Sequence, residues 1–480
     1  MKRKFVTNLI LLISLNLLIK PFWIFGIDRT VQNLVGDESY GFYFALFNFS
    51  MILNILLDVG ITNFNNRNIS RYNFLLPKHL SNIVGLKLVL AIVYAIFSLI
   101  IAGIIGYSKV QFHLLFFLIF NQFLVSFTLY LRSNITALQF FRTDSLLSVL
   151  DRSLMILICS LLLYTNILGG QFSIQWFVYA QTISYIITAV ITFAIVLQKA
   201  GRFKIRFDLK FFFVFLRKSY PYALLILLMA LYNRIDSVML ERLLDGTTGH
   251  EQAGIYAQAF RLLDAVSMFG ALVAGLLLPI FSKMIKEREP IGDVVKLSFT
   301  LLMIPAIVIA VSSVYYDVEI MSLLYTSNTA FSADILGILM IGFVGIASTY
   351  IFGTLLTANG SMKQLNIMAF FGVLLNVGLN LILIPRMQAY GSAYASLTTQ
   401  LFTGAAQLIL ALVIFKLKPQ FSYVLRIFIF TAVVIALAEL SQNFDYWVYG
   451  YMAMIAGSVL FALFIRLISI KDMLKIIFQR

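Results

Sequence analysis

Reactive side chains are scarce in this chain. A single cysteine, Cys159, excludes an intramolecular disulfide, and three scattered histidines, His79, His113 and His250, offer no metal-binding spacing. Charged residues fill only 12% of the 480 positions. No GxxxxGKS/T phosphate loop occurs, so the chain has no sign of hydrolysing ATP itself. No metal and no cofactor is expected, coupling ions such as H+ or Na+ apart.

Apolar residues, by contrast, make up 61% of the sequence, and the mean hydropathy of +0.94 lies far outside the range of soluble domains. An all-α integral membrane protein is the expected fold class. Segments 7–27, 39–62, 83–106, 112–134, 145–165, 173–197, 219–243, 252–281, 294–315, 331–357, 363–385, 391–415, 422–440 and 446–468 are long and apolar enough to predict fourteen spans. The run after Lys2, Arg3 and Lys4 continues to Ile27 without a small-residue cleavage site and reads as a retained first helix.

The net charge of +15 does not point to nucleic acid, because lysine and arginine crowd alternate connecting segments. Only Arg29, Lys109, Arg242 and Arg386 fall in the opposite set, which predicts that both termini are cytoplasmic. The segment 315–332, the longest on the outside, carries no lysine or arginine and a short amphipathic stretch.

Internal repetition divides the chain. GFYFALF (Gly41–Phe47) matches GIYAQAF (Gly254–Phe260), and the sixth span parallels the twelfth through Gln181 and Gln400, at similar offsets. Six helices per copy predicts two lobes of the same orientation with a site between them. The N-lobe is expected at 1–198, a basic cytoplasmic linker at 199–218 with an amphipathic surface piece, the C-lobe at 219–416, and two further helices with a cytoplasmic tail at 417–480.

Charges inside the spans are the candidates for function, since an ionised group in hydrocarbon needs a partner or a polar cavity. Arg234 and Arg261 lie roughly 12 to 14 Å from the expected outer ends of their helices, and Lys20 lies about 12 Å from its own. Arg261 has Asp264 one turn on, so pairing and anion binding are equally good readings there. Arg234 and Asp236 are two residues apart and face different ways; Lys20 has no carboxylate within a turn. Lys87 is expected to reach cytoplasmic water, Asp58 to end its helix, and Asp151 and Arg152 to pair across helices or extend toward water. Asp236 and Asp264 are candidates for ion coupling. Gln181, Asn376, Asn380 and Gln400 could bond sugars, although helix packing is the commoner role of such residues. Tyr232, Tyr256 and Tyr394 could stack on sugar faces. Pro21, Pro221, Pro279 and Pro305 are possible bends.

LLDVGITNFNNRNIS (Leu56–Ser70), NRIDSVML (Asn233–Leu240), AGIYAQAFRLLD (Ala253–Asp264), LLPIFSKM (Leu277–Met284) and NVGLNLILIPRMQAYGSAYAS (Asn376–Ser396) together resemble the multidrug/oligosaccharidyl-lipid/polysaccharide (MOP) exporter superfamily, and within it the Wzx-type flippases. A single glycine, Gly391, stands where that family often carries more glycine and alanine. The resemblance implies a V-shaped, MATE-like transporter of two six-helix lobes in a bacterial inner membrane. Its substrate would be a polyprenyl-diphosphate-linked oligosaccharide for O-antigen, capsule or exopolysaccharide export. Spans one, seven and eight line the cavity in that family, so Lys20, Arg234 and Arg261 become the expected head-group site. A monomer is expected, alongside a polysaccharide polymerase and export machinery as partners.

Two alternatives stand beside this. Another transporter on the same scaffold could carry lipid II, or exchange cationic drugs for a cation, though the latter favours an acidic hollow. A membrane glycan polymerase or glycosyltransferase would want a large outside loop with Arg, Asp or His, and the outside segments here are short.

Overall fold

Glycine and serine punctuate the early helices. Gly106, at φ +84°, closes one helix in the left-handed region that a side chain disfavours, and Ser108 opens the next. The Ser108 hydroxyl accepts from the Gln111 N–H while the Gln111 side chain accepts from the Ser108 N–H, a reciprocal cap. Such signals bound long helices in the computed structural model, which describes residues 14–16, 18–165, 171–201, 203–205, 207, 209–418 and 420–467, with the side chains of 63, 64, 67, 68, 71 and 209–219 excepted.

A π-helical turn, Trp23–Asp28, runs directly into α1 (Arg29–Ile52). There follow α2 (Ile61–Arg71), α3 (Leu76–Ile105), α4 (Lys109–Ala137), α5 (Phe141–Tyr164), α6 (Ile174–Ala200), α7 (Leu209–Leu243), α8 (Gly246–Glu287), α9 (Gly292–Tyr315), α10 (Asp317–Leu324), α11 (Thr329–Ala358), α12 (Met362–Phe415), α13 (Phe421–Ser441) and α14 (Trp447–Phe464). No strand occurs among the described residues. Eleven of these helices are long and apolar enough to cross a membrane among the described residues.

The difference from fourteen has physical causes. The eleventh and twelfth expected spans form the single element α12, whose 54 residues would be about 81 Å long if straight. The chain instead reverses at Gln388 (φ 54°, ψ −130°). Gly391 then packs on the Leu383 carbonyl and Ser392 donates to Asn380, twelve residues back. The second expected span is interrupted: α1 stops at Ile52, a short 3-10 turn covers Asn54–Leu57, and α2 resumes at Ile61. Residues 7–13 and 17 of the first span, the amphipathic character of the linker and the tail beyond residue 467 lie outside the described residues. The expected amphipathic stretch on the outside is α10.

Internal contacts divide the chain into two units, Met1–Gly254 and Ile255–Arg480, the division falling within α8. In the first, Leu80, Ile83, Leu131, Ile135 and Val196 form part of a core joining α3, α4 and α6. In the second, Ile304, Phe430, Val434 and Met454 join α9, α13 and α14. Hydroxyls along α6 stay within the helix, with Thr182, Ser184, Thr188 and Thr192 each donating to the carbonyl four residues back.

The repeat-related glycines Gly41 and Gly254 meet inside the first unit. A Cβ on Gly41 would stand 1.8 Å from the His250 carbonyl oxygen, and one on Gly254 would stand 2.0 Å from that of Asp37. Gln32 strengthens this approach by donating to the Gly254 carbonyl at 2.9 Å. Only glycine permits backbones to come so close.

Candidate functional site

The residues leading into α1 place Lys20 beside charges that sequence spacing separates by more than a hundred positions. Asn16 donates to Ser148 at 3.0 Å and so ties this segment to α5. Lys20, half-buried, then comes under the charges of Arg152, Asp151 and Arg132. The Arg152 guanidinium sits 5.5 Å from the Trp23 ring centre and 6.0 Å from that of Tyr185. Trp23 in turn stacks on Phe177 at 5.7 Å.

The anionic groups nearby are already engaged. Arg132 makes a 2.7 Å bond to Asp144, whereas Arg152 Nε stands 3.8 Å from Asp151 Oδ2. Among the described charges named here, three cations stand against two carboxylates, a local surplus of positive charge. Asp151 and Arg152 were expected to pair across helices or extend toward water; their ion pair is between neighbours on one helix, and aromatic rings from two other segments hold the arginine. Nothing in the spacing of Trp23, Arg152 and Tyr185 announces this cluster, since only tertiary packing brings them together.

Arg234, also half-buried in the first unit, has Nη1 3.3 Å from Asn48 Oδ1. Asn48 donates in turn to Ser237 at 2.9 Å, so the arginine is braced by a neutral amide. Asp236 is buried, with 1% exposure, whereas Arg234 is only partly buried. Arg261 belongs to the second unit and stands 3.9 Å from Asp264, the long end of an ion pair. The expected self-pairing of Arg261 is therefore present, in a loose form.

The amides proposed for sugars bond inside the protein. Gln181 donates to the Tyr43 hydroxyl at 3.0 Å, and Asn380 donates to the Asn376 carbonyl at 3.0 Å while accepting from Ser392 at 2.9 Å. Gln400 is buried where α12 crosses Gly345 of α11, at a separation that leaves no room for a Cβ. A sugar hydroxyl would have to compete with these bonds. Tyr232 and Tyr256 are buried, whereas Tyr394 is exposed.

Two features escape a sequence reading. Asp28 reads from sequence as the outer end of the first helix, yet it is 3% exposed and accepts from the Tyr40 hydroxyl at 2.8 Å. Its position at the end of a π-helical turn is of the kind that recurs at functional sites. Lys87 does not reach water: it is 1% exposed and bonds Asp58 at 2.7 Å. Asp58 corrects the expectation in the same way, because it anchors a lysine from another helix as well as marking a helix end. The break at 53–60 pulls a carboxylate inward to where the lysine can meet it.

Comparison with known proteins places this geometry in context. No curated protein matches the chain. Among solved structures, the lipid II flippase MurJ in an inward closed conformation is similar with a TM-score of 0.72 at 17% identity, over 95% of this chain and 98% of the other. An inward-facing multidrug resistance MATE family transporter of the MOP superfamily aligns with a TM-score of 0.62 at 15% identity, over 85% and 98%. The Vibrio cholerae MATE transporter VcmN in its bent form aligns at 0.55 and 14%, over 86% and 97%. At these identities the likeness establishes the fold alone. The sequence profile described as polysaccharide biosynthesis protein covers residues 5–285, more than half of the chain, and so the protein belongs to that family.

Proposed function

We propose that the protein is a flippase that carries polyprenyl-diphosphate-linked oligosaccharide repeat units across the bacterial inner membrane by alternating access. The supporting observation is the surplus of positive charge around Lys20 and Arg152, walled by Trp23 and Tyr185, in a membrane protein of a polysaccharide biosynthesis family. At about 4 Å and an effective dielectric of ~20, one cation attracts a unit negative charge by about 4 kcal/mol, so two cations offset much of what a diphosphate loses on leaving water. Aromatic walls suit the sugar or isoprenoid groups next to that diphosphate.

In this reading Lys20, Arg234 and Arg261 hold the head group, with the repeat-related lobes 1–198 and 219–416 moving about it. Asp236 and Asp264 couple transport to H+ or Na+, Asp264 through its loose contact with Arg261. The protein works as a monomer beside a polymerase and export machinery. A cationic-drug antiporter fits less well, because a positive hollow repels its cargo.

The test is reconstitution in vesicles with a fluorescent polyprenyl-diphosphate oligosaccharide, with lipid II and a cationic dye as competing cargoes. Protein-dependent loss of label from the loaded leaflet is expected for the oligosaccharide lipid. Movement of the dye alone would overturn the proposal.

Orientation is tested separately. Cys159 is buried, so Lys109→Cys gives one accessible thiol in an otherwise native chain. Labelling by an impermeant maleimide from outside intact cells is expected, and labelling only after the cytoplasm is opened would reverse the topology.

A further inference from the structure

The interruption between α1 and α2 exposes backbone that a continuous helix would have satisfied. Val59 and Gly60 take positive φ values of 44° and 84°, and the Leu57 carbonyl is left without a helical partner from the following turn. Lys87 of α3 supplies what is missing. Its ammonium lies 2.8 Å from Leu57 O, 2.7 Å from Asp58 Oδ1 and 2.9 Å from Ser126 Oγ. An ammonium has three donors, and here each has one acceptor.

These acceptors form a set with a recognisable chemistry. A backbone carbonyl at an unwound turn, a carboxylate and a hydroxyl are the hard oxygen donors that hold small cations inside membrane proteins. The shell is itself braced: Ser126 donates to Leu57 O at 3.2 Å, and Asp58 Oδ1 also accepts from the Thr62 N–H and hydroxyl. We propose that the Lys87 ammonium occupies a monovalent-cation site, as a tethered counter-ion that holds the broken second span in shape. Removal of the side chain would then leave a site open to NH4+, K+ or Na+.

The inference is independent of what the protein transports. Purified wild type, Lys87→Ala and the double variant Lys87→Ala with Asp58→Asn are compared by thermal unfolding in detergent. Each is measured in choline, sodium, potassium and ammonium chloride at equal ionic strength. Wild type is expected to melt at one temperature in all four salts. Lys87→Ala is expected to melt several degrees lower in choline and to recover saturably with at least one small cation, whereas the double variant, lacking the carboxylate, does not respond. Equal melting of Lys87→Ala in all four salts overturns the proposal. A response shared by the double variant or wild type overturns it too, as does failure of Lys87→Ala to fold in any of the salts. Recovery of folded Lys87→Ala only when purified in a small-cation salt supports it.

Discussion

Alanine at Gly41 or Gly254 is expected to lower the melting temperature of the folded protein markedly. A new Cβ at Gly41 would lie 1.8 Å from the His250 carbonyl oxygen and 2.4 Å from the Gly254 nitrogen. These obstacles are backbone, which cannot rotate away as a side chain does, so α1 and the start of α8 must separate. Overpacking of a well-packed interior typically costs about 1–3 kcal/mol, and separation also weakens the Gln32 bond to the Gly254 carbonyl. Gly103→Ala is the control: its Cβ meets nothing within 4 Å, and a helical glycine replaced by alanine gains up to about 1 kcal/mol. Size-exclusion profiles and melting temperatures in detergent separate the two cases. An unaltered melting temperature for Gly41→Ala and Gly254→Ala would contradict the close approach.

Lys20→Ala and Arg234→Ala are expected to abolish flipping while leaving protein levels intact. Lys20 contributes positive charge beside Arg152, and Arg234 bonds Asn48 at 3.3 Å, so each variant removes one cation from the proposed head-group site. Each tenfold loss of rate corresponds to about 1.4 kcal/mol, and loss of a full charge contact with a diphosphate exceeds that. Lys20→Arg, which keeps the charge, should retain more activity than Lys20→Ala in the vesicle assay. Undiminished flipping in both alanine variants would remove these residues from the head-group site.

The fold was legible because membrane spans are written in the simplest code that a sequence has, long apolar runs between basic connections. GFYFALF and GIYAQAF each carry a glycine, Gly41 and Gly254, that the structure brings into close backbone contact. What escaped was set by backbone departures with faint local signals. The segment ILNILLDVG reads as one helix with a carboxylate near its end, yet positive φ at Val59 and Gly60 turns Asp58 onto Lys87. Lys87 was expected to extend to water because a long side chain near a membrane surface usually can. It stays buried because three oxygens are nearer than the solvent.

The site was legible in part for a related reason. Depth along a helix can be counted, so Lys20 and Arg234 could be singled out, but which charges converge on Lys20 depends on packing between segments more than a hundred residues apart. Arg152 reads from sequence as pairing across helices or extending toward water, yet it meets its neighbour Asp151 and two rings. Its rings, Trp23 and Tyr185, sit on two different segments, and no periodicity links them.

The reversal at Gln388 bears on how the protein enters the bilayer during synthesis. Asn380 bonds Asn376 within the first arm of α12, and the Ser392 hydroxyl of the second arm adds a bond by donating to the Asn380 side-chain oxygen. Folded back on each other, the arms meet through the Ser392 bond to Asn380, and the paired hairpin can partition laterally as one hydrophobic body. Insertion of this stretch is therefore cooperative, and a truncation that ends within the second arm would leave the first poorly retained in the membrane.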